Sequence, residues 1–214
     1  MKFTLFTASC TGREANCRYP QKREIQDAKE LKEAAAFDHV CAAYKNSYRS
    51  RDNFLWSNVA VMDCDNDHTE DPQEWVTGEK LLAMLPGVAV AIVPSRNNGK
   101  AKEGKKARPR FHAYFPIPEM QDEKAYTALK QGIREQFPFF DEAALDSARF
   151  LYGTEVMPDE IFWQEGERTI TEFLASLEPV EPGQTETPFY AGMSIPEGSR
   201  NNAMSHFAGR VLKR

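Results

Sequence analysis

The chain has 214 residues, 41% hydrophobic and 28% charged, with a formal charge of −5. Its 3 Trp, 7 Tyr and 14 Phe, set in regular apolar runs, exclude disorder over most of the length, and no stretch approaches the ~18 uninterrupted apolar residues of a membrane span. An acidic whole excludes a polycation that coats nucleic acid. The charge is uneven, however. Between Ser95 and His112 seven basic residues (Arg96, Lys100, Lys102, Lys105, Lys106, Arg108, Arg110) meet one acid, Glu103, a net +6 that leaves −11 for the remainder. Such a strip predicts a local polyanion site, a solvated charged loop being the alternative.

Lys2 to Ala8 alternates as a first strand and is too short and polar for a secretion signal. Pro20 to Phe37 predicts a helix, with Ile25, Ala28, Leu31 and Ala35 at helical spacing. Val40 to Tyr44 is a short strand, and Val59-Ala60-Val61-Met62 a buried strand that ends abruptly in acids. Pro72 to Leu85 reads as a helix stopped by Pro86-Gly87. Val88 to Val93 and Arg110 to Ile117 read as a hairpin around the basic loop, placed beside the 59–65 strand. Gln121 to Phe137 is an amphipathic helix with Tyr126, Leu129, Ile133 and Phe137 inward. Short strands follow at Arg149 to Tyr152 and Ile161 to Trp163, then a helix from Thr169 to Leu177. The mixture predicts one α+β domain over 1–177, with mixed sheets and flanking helices. Four prolines between Glu178 and Gly198 predict a linker, and Ser199 to Arg214 the first helix of a further helical domain. The four cysteines form no CxxC pair, so a reducing cytoplasm is expected; a zinc site from Cys10, Cys17, His39 and Cys41 is the weaker reading. No apolar stripe is left over, which predicts a monomer.

The strongest chemical signal is Asp63-Cys64-Asp65 at the end of the apolar strand. Residues two apart on a strand share a face, and two adjacent carboxylates are stable together only with a cation between them. An all-oxygen shell suits Mg²⁺ or Mn²⁺. A rival places Asp63, Asp65, Asp67, Thr69, Asp71 and Glu74 at the ligand positions of a twelve-residue Ca²⁺ loop. Against it stand His68 at the glycine position, Glu70 at the apolar one, and a β-branched rather than helical lead-in. Arg110, His112 and Tyr114 share one face of the following strand. A third acid is expected at Asp146, after Leu145 and before Arg149; by itself it reads as a helix cap.

In this order the segments resemble the archaeo-eukaryotic primase superfamily, and most closely the primase-polymerases of phages and mobile elements. Asp63 and Asp65 match the family's first motif, His112 the histidine that ends its second, and Leu145-Asp146 with Arg149 its third. Gly198-Ser199-Arg200-Asn201-Asn202-Ala203 is similar to the opening of the helical domain that follows such cores. The resemblance implies an RRM-like palm with an N-terminal α/β module. It implies two Mg²⁺ or Mn²⁺ ions held by Asp63, Asp65 and Asp146, and nucleotidyl transfer from a dNTP or NTP on a single-stranded DNA template. His112, Arg110, Ser95, Asn97, Lys105, Arg108 and Arg149 become the expected nucleotide-binding residues, and a C-terminal helical or helicase module the expected partner. The chain departs from the family's Ser-x-His pattern, because Arg110 stands two before His112 and Ser95 lies beyond the basic insertion. The rivals are a metal-dependent nuclease or relaxase-like replication initiator, for which Tyr114 is a nearby candidate nucleophile, and a non-catalytic single-strand-binding module.

Overall fold

The computed structural model describes residues 1–102 and 104–177, so the linker and terminal helix expected over 178–214 lie outside the described residues. Phe3–Thr7 (β1) is the expected first strand. Gln21–Ile25 (β2) pairs antiparallel with it, Phe3 opposite Ile25 and Thr7 opposite Gln21, where the sequence predicts a helix. Only Ala28–Ala35 (α1) is helical, started by Asp27, whose side chain accepts from the Glu30 N–H. Gln21 to Glu24 are all exposed. A charged edge strand has the composition of a surface helix, and here pairing with β1 outweighs local propensity.

His39–Val40 (β3) pairs with β1, whereas Ala43–Tyr44 (β4) pairs with Phe54–Cys64 (β5), so the single strand expected there serves two sheets. The helix expected from Pro72 divides into a 3-10 turn at Pro72–Glu74 and Gly78–Met84 (α2), capped by the Thr77 hydroxyl. Val90–Pro94 (β6), Phe111–Met120 (β7), Glu123–Gln136 (α3), Phe150–Leu151 (β8), Phe162–Gln164 (β9) and Ile170–Ser176 (α4) fall where the periodicity puts them. Two antiparallel sheets result, ordered β2-β1-β3-β8 and β4-β5-β7-β6-β9. The class is α+β, and β7 lies between β5 and β6.

Alternation divides the five-stranded sheet between two cores. Ala60, Met62, Ala113, Phe115 and Ile92 face Leu81 of α2, Tyr126 and Ile133 of α3 and Phe173 of α4. Val59, Val61, Tyr114, Ala91 and Val93 face Phe3 and Leu5 of β1 and Leu31 of α1. Burial on both faces explains the unbroken apolar runs, each buried Val, Ile, Leu, Met or Phe contributing roughly 1.5–3 kcal/mol and each alanine less. Between the sheets the Tyr114 hydroxyl lies 2.8 Å from His39 Nε2, and His39 Nδ1 2.8 Å from the Phe37 carbonyl. That carbonyl only accepts, so Nδ1 carries the proton and Nε2 accepts from Tyr114. Burial pushes His39 down to about 4. Both ring nitrogens are committed, which removes His39 from any zinc site.

The β8 end of the first sheet is tied down by Asp38, whose carboxylate accepts from the N–H groups of Gly12, Arg13 and Gly153. A Cβ at Gly153 would stand 2.5 Å from the Ala36 carbonyl oxygen, so only glycine lets these backbones approach.

Candidate active site

The last residues of β5 and the first of β7 are paired, Asp63 opposite His112 and Cys64 opposite Phe111, while Val93 of β6 lies opposite His112 on the other side. Asp63 and His112 therefore share the face of Val61 and Tyr114, at the rim of the core between the sheets. Asp63 is buried. Its Oδ2 accepts from Arg149 Nη2 at 2.9 Å; its Oδ1 has no hydrogen-bond partner and stands 3.5 Å from His112 Nε2. Asp65 has Lys102 Nζ at 3.3 Å and Arg110 Nε at 3.6 Å.

Asn66 then turns the chain in the left-handed region, at φ 55, which asparagine tolerates better than most residues. Its buried amide bonds both the N–H and the carbonyl of Val76 and the carbonyl of Pro109. This positioning residue escapes sequence reasoning, because its partners come from two distant segments.

The third carboxylate beside Asp63 and Asp65 belongs to Asp141. One oxygen from each of the three lies within 4.8 Å of the others, the one such cluster among the described residues. The Asp141 N–H donates to the Asp63 carbonyl at 2.8 Å, which brings the segment alongside β5. Burial, then the charges of Asp63, Asp65 and Asp67, push Asp141 up to about 7. Hard oxygens crowded until one resists ionisation, together with the orphaned oxygen of Asp63, form a donor set that fits Mg²⁺ or Mn²⁺.

Asp146, expected as third acid, is not in this group. The 3-10 turn Glu142–Leu145 intervenes, and the Asp146 carboxylate accepts from Arg51 Nε at 2.8 Å and the Ala148 N–H at 2.9 Å. Burial pushes it up, but those hydrogen bonds and Arg51 hold it below the ordinary carboxylate value. Phe140-Asp141 satisfies the apolar-acid pattern as well as Leu145-Asp146 does; they differ in tertiary surroundings, Asp141 beside Asp63 and Asp65 and Asp146 beside Arg51. The turn after Asp146 positions Arg149 instead. The carbonyls of Asp146, Ser147 and Ala148 receive Lys130 Nζ, the Tyr44 hydroxyl and Arg49 Nη1 at 3.5, 2.7 and 2.9 Å.

A cavity of about 270 Å³ opens over Asp63 and Asp65. Ser95, Asn97, His112 and Arg149, four of the expected nucleotide-binding residues, line it, and Arg96, Lys102 and the β8 segment Phe150 to Tyr152 complete the wall. Burial pushes His112 below its ordinary value, so the imidazole is neutral at pH 7.

The other three expected residues do not line it. Arg108 is fully buried, bonded twice to Glu70 at 2.9 and 2.8 Å and to the Asn66 carbonyl at 2.9 Å. Lys105 Nζ lies 2.7 Å from Asp67. Arg110, also buried, donates to the carbonyls of Lys100 and Asn97 at 2.7 and 3.1 Å. The reason is register: the end of β5 pairs with the start of β7, so the acidic turn after Cys64 and the basic segment before Phe111 leave the sheet side by side. Much of the positive strip therefore neutralises the acidic turn and braces its own loop. Arg108 also occupies the carbonyls of Asn66 and Thr69, which removes the Ca²⁺-loop reading. Arg108→Ala strips the buried Asn66 carbonyl of its donor, while the Thr69 carbonyl keeps the Trp75 indole N–H, and is expected to lower stability by about 1–3 kcal/mol in denaturant titration.

The sequence matches no protein-family model and no curated protein. Among solved structures it is similar to the AEP domain of the primase-polymerase of cyanophage S-2L, at 16% identity and a TM-score of 0.46, over 83% of this chain and 89% of that one.

Proposed function

We propose that the chain is a metal-dependent nucleotidyltransferase of the primase-polymerase type, extending a primer or initiating nucleotide on single-stranded template DNA from dNTPs or NTPs. One observation carries the reading: the carboxylates of Asp63, Asp65 and Asp141 converge, one Asp63 oxygen is buried without a hydrogen-bond partner, and Asp63 and Asp65 of this cluster line a pocket that Arg96, Lys102 and Arg149 also line. The order of motifs along the chain supports it, with Asp141 in place of Asp146 as the third acid.

Bound by these carboxylates, Mg²⁺ or Mn²⁺ would lower the pKa of the attacking hydroxyl and neutralise charge on the leaving pyrophosphate. The protein's own groups position the reactants. Arg149, held by the braced 146–148 turn, presents a fixed guanidinium to a polyphosphate. Neutral His112 donates a hydrogen bond to a phosphate oxygen without contributing a charge that Asp63 would capture. Ser95 and Asn97 add neutral contacts at the far side. Such positioning and electrostatics supply most of the rate in in-line displacement at phosphorus.

His112→Ala is expected to lower kcat/KM for the triphosphate about 10- to 100-fold, the range for one hydrogen bond to a charged group, with the Mn²⁺ affinity retained. Loss of Mn²⁺ binding would instead make His112 a ligand. The relaxase-like rival loses its nucleophile, since Tyr114 is fully buried and its hydroxyl is bonded to His39. Incubation with primed template, nucleotides and Mn²⁺ tests the proposal: extension is expected, whereas cleavage of the template or the absence of any product overturns it.

A further inference from the structure

We infer that a single-stranded nucleic acid runs to the pocket along a succession of guanidinium and aromatic side chains: Arg18, Tyr48, Arg49, Phe150, Tyr152 and Arg96. Arg18 Cζ stands 5.7 Å from the Tyr48 ring centroid. Arg49, the next residue, places its Cζ 4.7 Å from the Phe150 ring. Phe150 meets Tyr152 edge-on at 4.7 Å, and Arg96 Cζ lies 3.4 Å from the Tyr152 ring. The last three line the cavity over Asp63 and Asp65. Four separate segments thus meet in one line that begins on the open surface and ends at the acids.

Core packing does not account for the outer end. Tyr48 is 44% exposed, and Arg18 and Arg96 are exposed as well. The platform is nevertheless rigid: the Tyr19 N–H donates to the Ser47 carbonyl at 3.0 Å and the Arg49 N–H to the Cys17 carbonyl at 2.8 Å, which ties the two outer loops together. Those loops carry Arg13, Arg18, Lys45, Arg49 and Arg51 against Glu14 and Asp52. Exposed Tyr48 and the half-buried rings of Phe150 and Tyr152 offer aromatic surface to unstacked bases, while the exposed cations Arg18 and Arg96 follow a phosphate backbone and Arg49, bonded to the Ala148 carbonyl, holds the line together; such a combination suits single strands and not duplexes. The line also continues past the residues that line the pocket, through Arg49 and Tyr48 to Arg18.

The inference deepens the proposed activity by placing its template strand, and rests on that reading for the strand's role. Fluorescence anisotropy of a labelled 15-nucleotide oligo-dT with the full chain, in the absence of divalent ions, tests it. Tyr48→Ala and Arg18→Ala are each expected to raise the Kd about tenfold, and Arg18→Ala to flatten the salt dependence by about 0.7 in the log–log slope. Mn²⁺ affinity, read by electron paramagnetic resonance, is expected to stay unchanged in both variants. No binding by the wild-type chain, unaltered Kd in both variants, or an equal loss of triphosphate or duplex affinity overturns the track. The two readings fail separately. A wild-type chain that incorporates nucleotides while both variants bind oligo-dT normally sinks the track alone; one that incorporates none, yet needs Tyr48 for oligo-dT, sinks the polymerase alone.

Discussion

Asp141→Asn is expected to abolish Mn²⁺-dependent nucleotide incorporation, by a thousandfold or more, while Asp146→Asn keeps activity within about tenfold. Removal of one ligand from a shared divalent site forfeits several kcal/mol of charge stabilisation in the transition state, and each ~1.4 kcal/mol is a factor of ten. Asp141 shares the 4.8 Å oxygen cluster with Asp63 and Asp65, and its N–H is anchored on the Asp63 carbonyl. Asp146 is engaged with Arg51 and the backbone of its own turn. Asp63→Ala and Asp65→Ala are expected to behave as Asp141→Asn does. Steady-state extension assays decide the matter: the reverse pattern, with Asp146 essential and Asp141 dispensable, would return the third acid to the position that the motif alone suggests.

The same Asp141→Asn substitution is expected to stabilise the fold at pH 8 when no divalent ion is present. Asp141 is pushed from the ordinary 3.8 up to about 7, first by burial and then by Asp63, Asp65 and Asp67. A carboxyl raised in this way contributes fully to stability only below its unfolded value, and the contribution is lost as pH rises toward the folded one. Full ionisation costs roughly 4 kcal/mol, so from this group the wild-type Tm falls by about 5–10 °C between pH 5 and pH 8 in chelator. Asp141→Asn flattens that fall. Saturating Mn²⁺ restores the wild-type Tm at pH 8 but does little at pH 5 and little for the variant. Parallel Tm-against-pH curves for wild type and variant would contradict a strained carboxylate cluster. Function and stability oppose each other at this residue, as expected where like charges are held together for binding.

Much of the fold was legible because it rests on strong periodicity. Val59 to Met62, Val88 to Val93 and Gln121 to Phe137 carry patterns that tertiary contacts reinforce. The failures have physical causes. Gln21–Ile25 has no apolar face to show, since all but Ile25 is exposed, and the strand exists only because β1 offers it an edge. Ser95 to His112 looked like a free positive strip because the acids that neutralise it, Asp65, Asp67 and Glu70, lie some forty positions earlier in the chain. Nothing local separates Asp141 from Asp146: one carboxylate lies beside Asp63 and Asp65 and the other beside Arg51, and both placements come from segments distant in the chain.

The residues themselves determined the chemistry available: paired acids at the end of an apolar strand, a histidine on the next strand, and an arginine after a second acidic segment are readable from alternation, because strand geometry is local. Which acid completes the cluster, which cations stay free for a ligand and which brace a loop, and how Arg18 and Tyr48 come into line with Tyr152 were decided by the tertiary structure alone. Antiparallel register sets those relations between distant segments, and register follows from the packing of each face of the central sheet against its own core rather than from any short stretch of sequence.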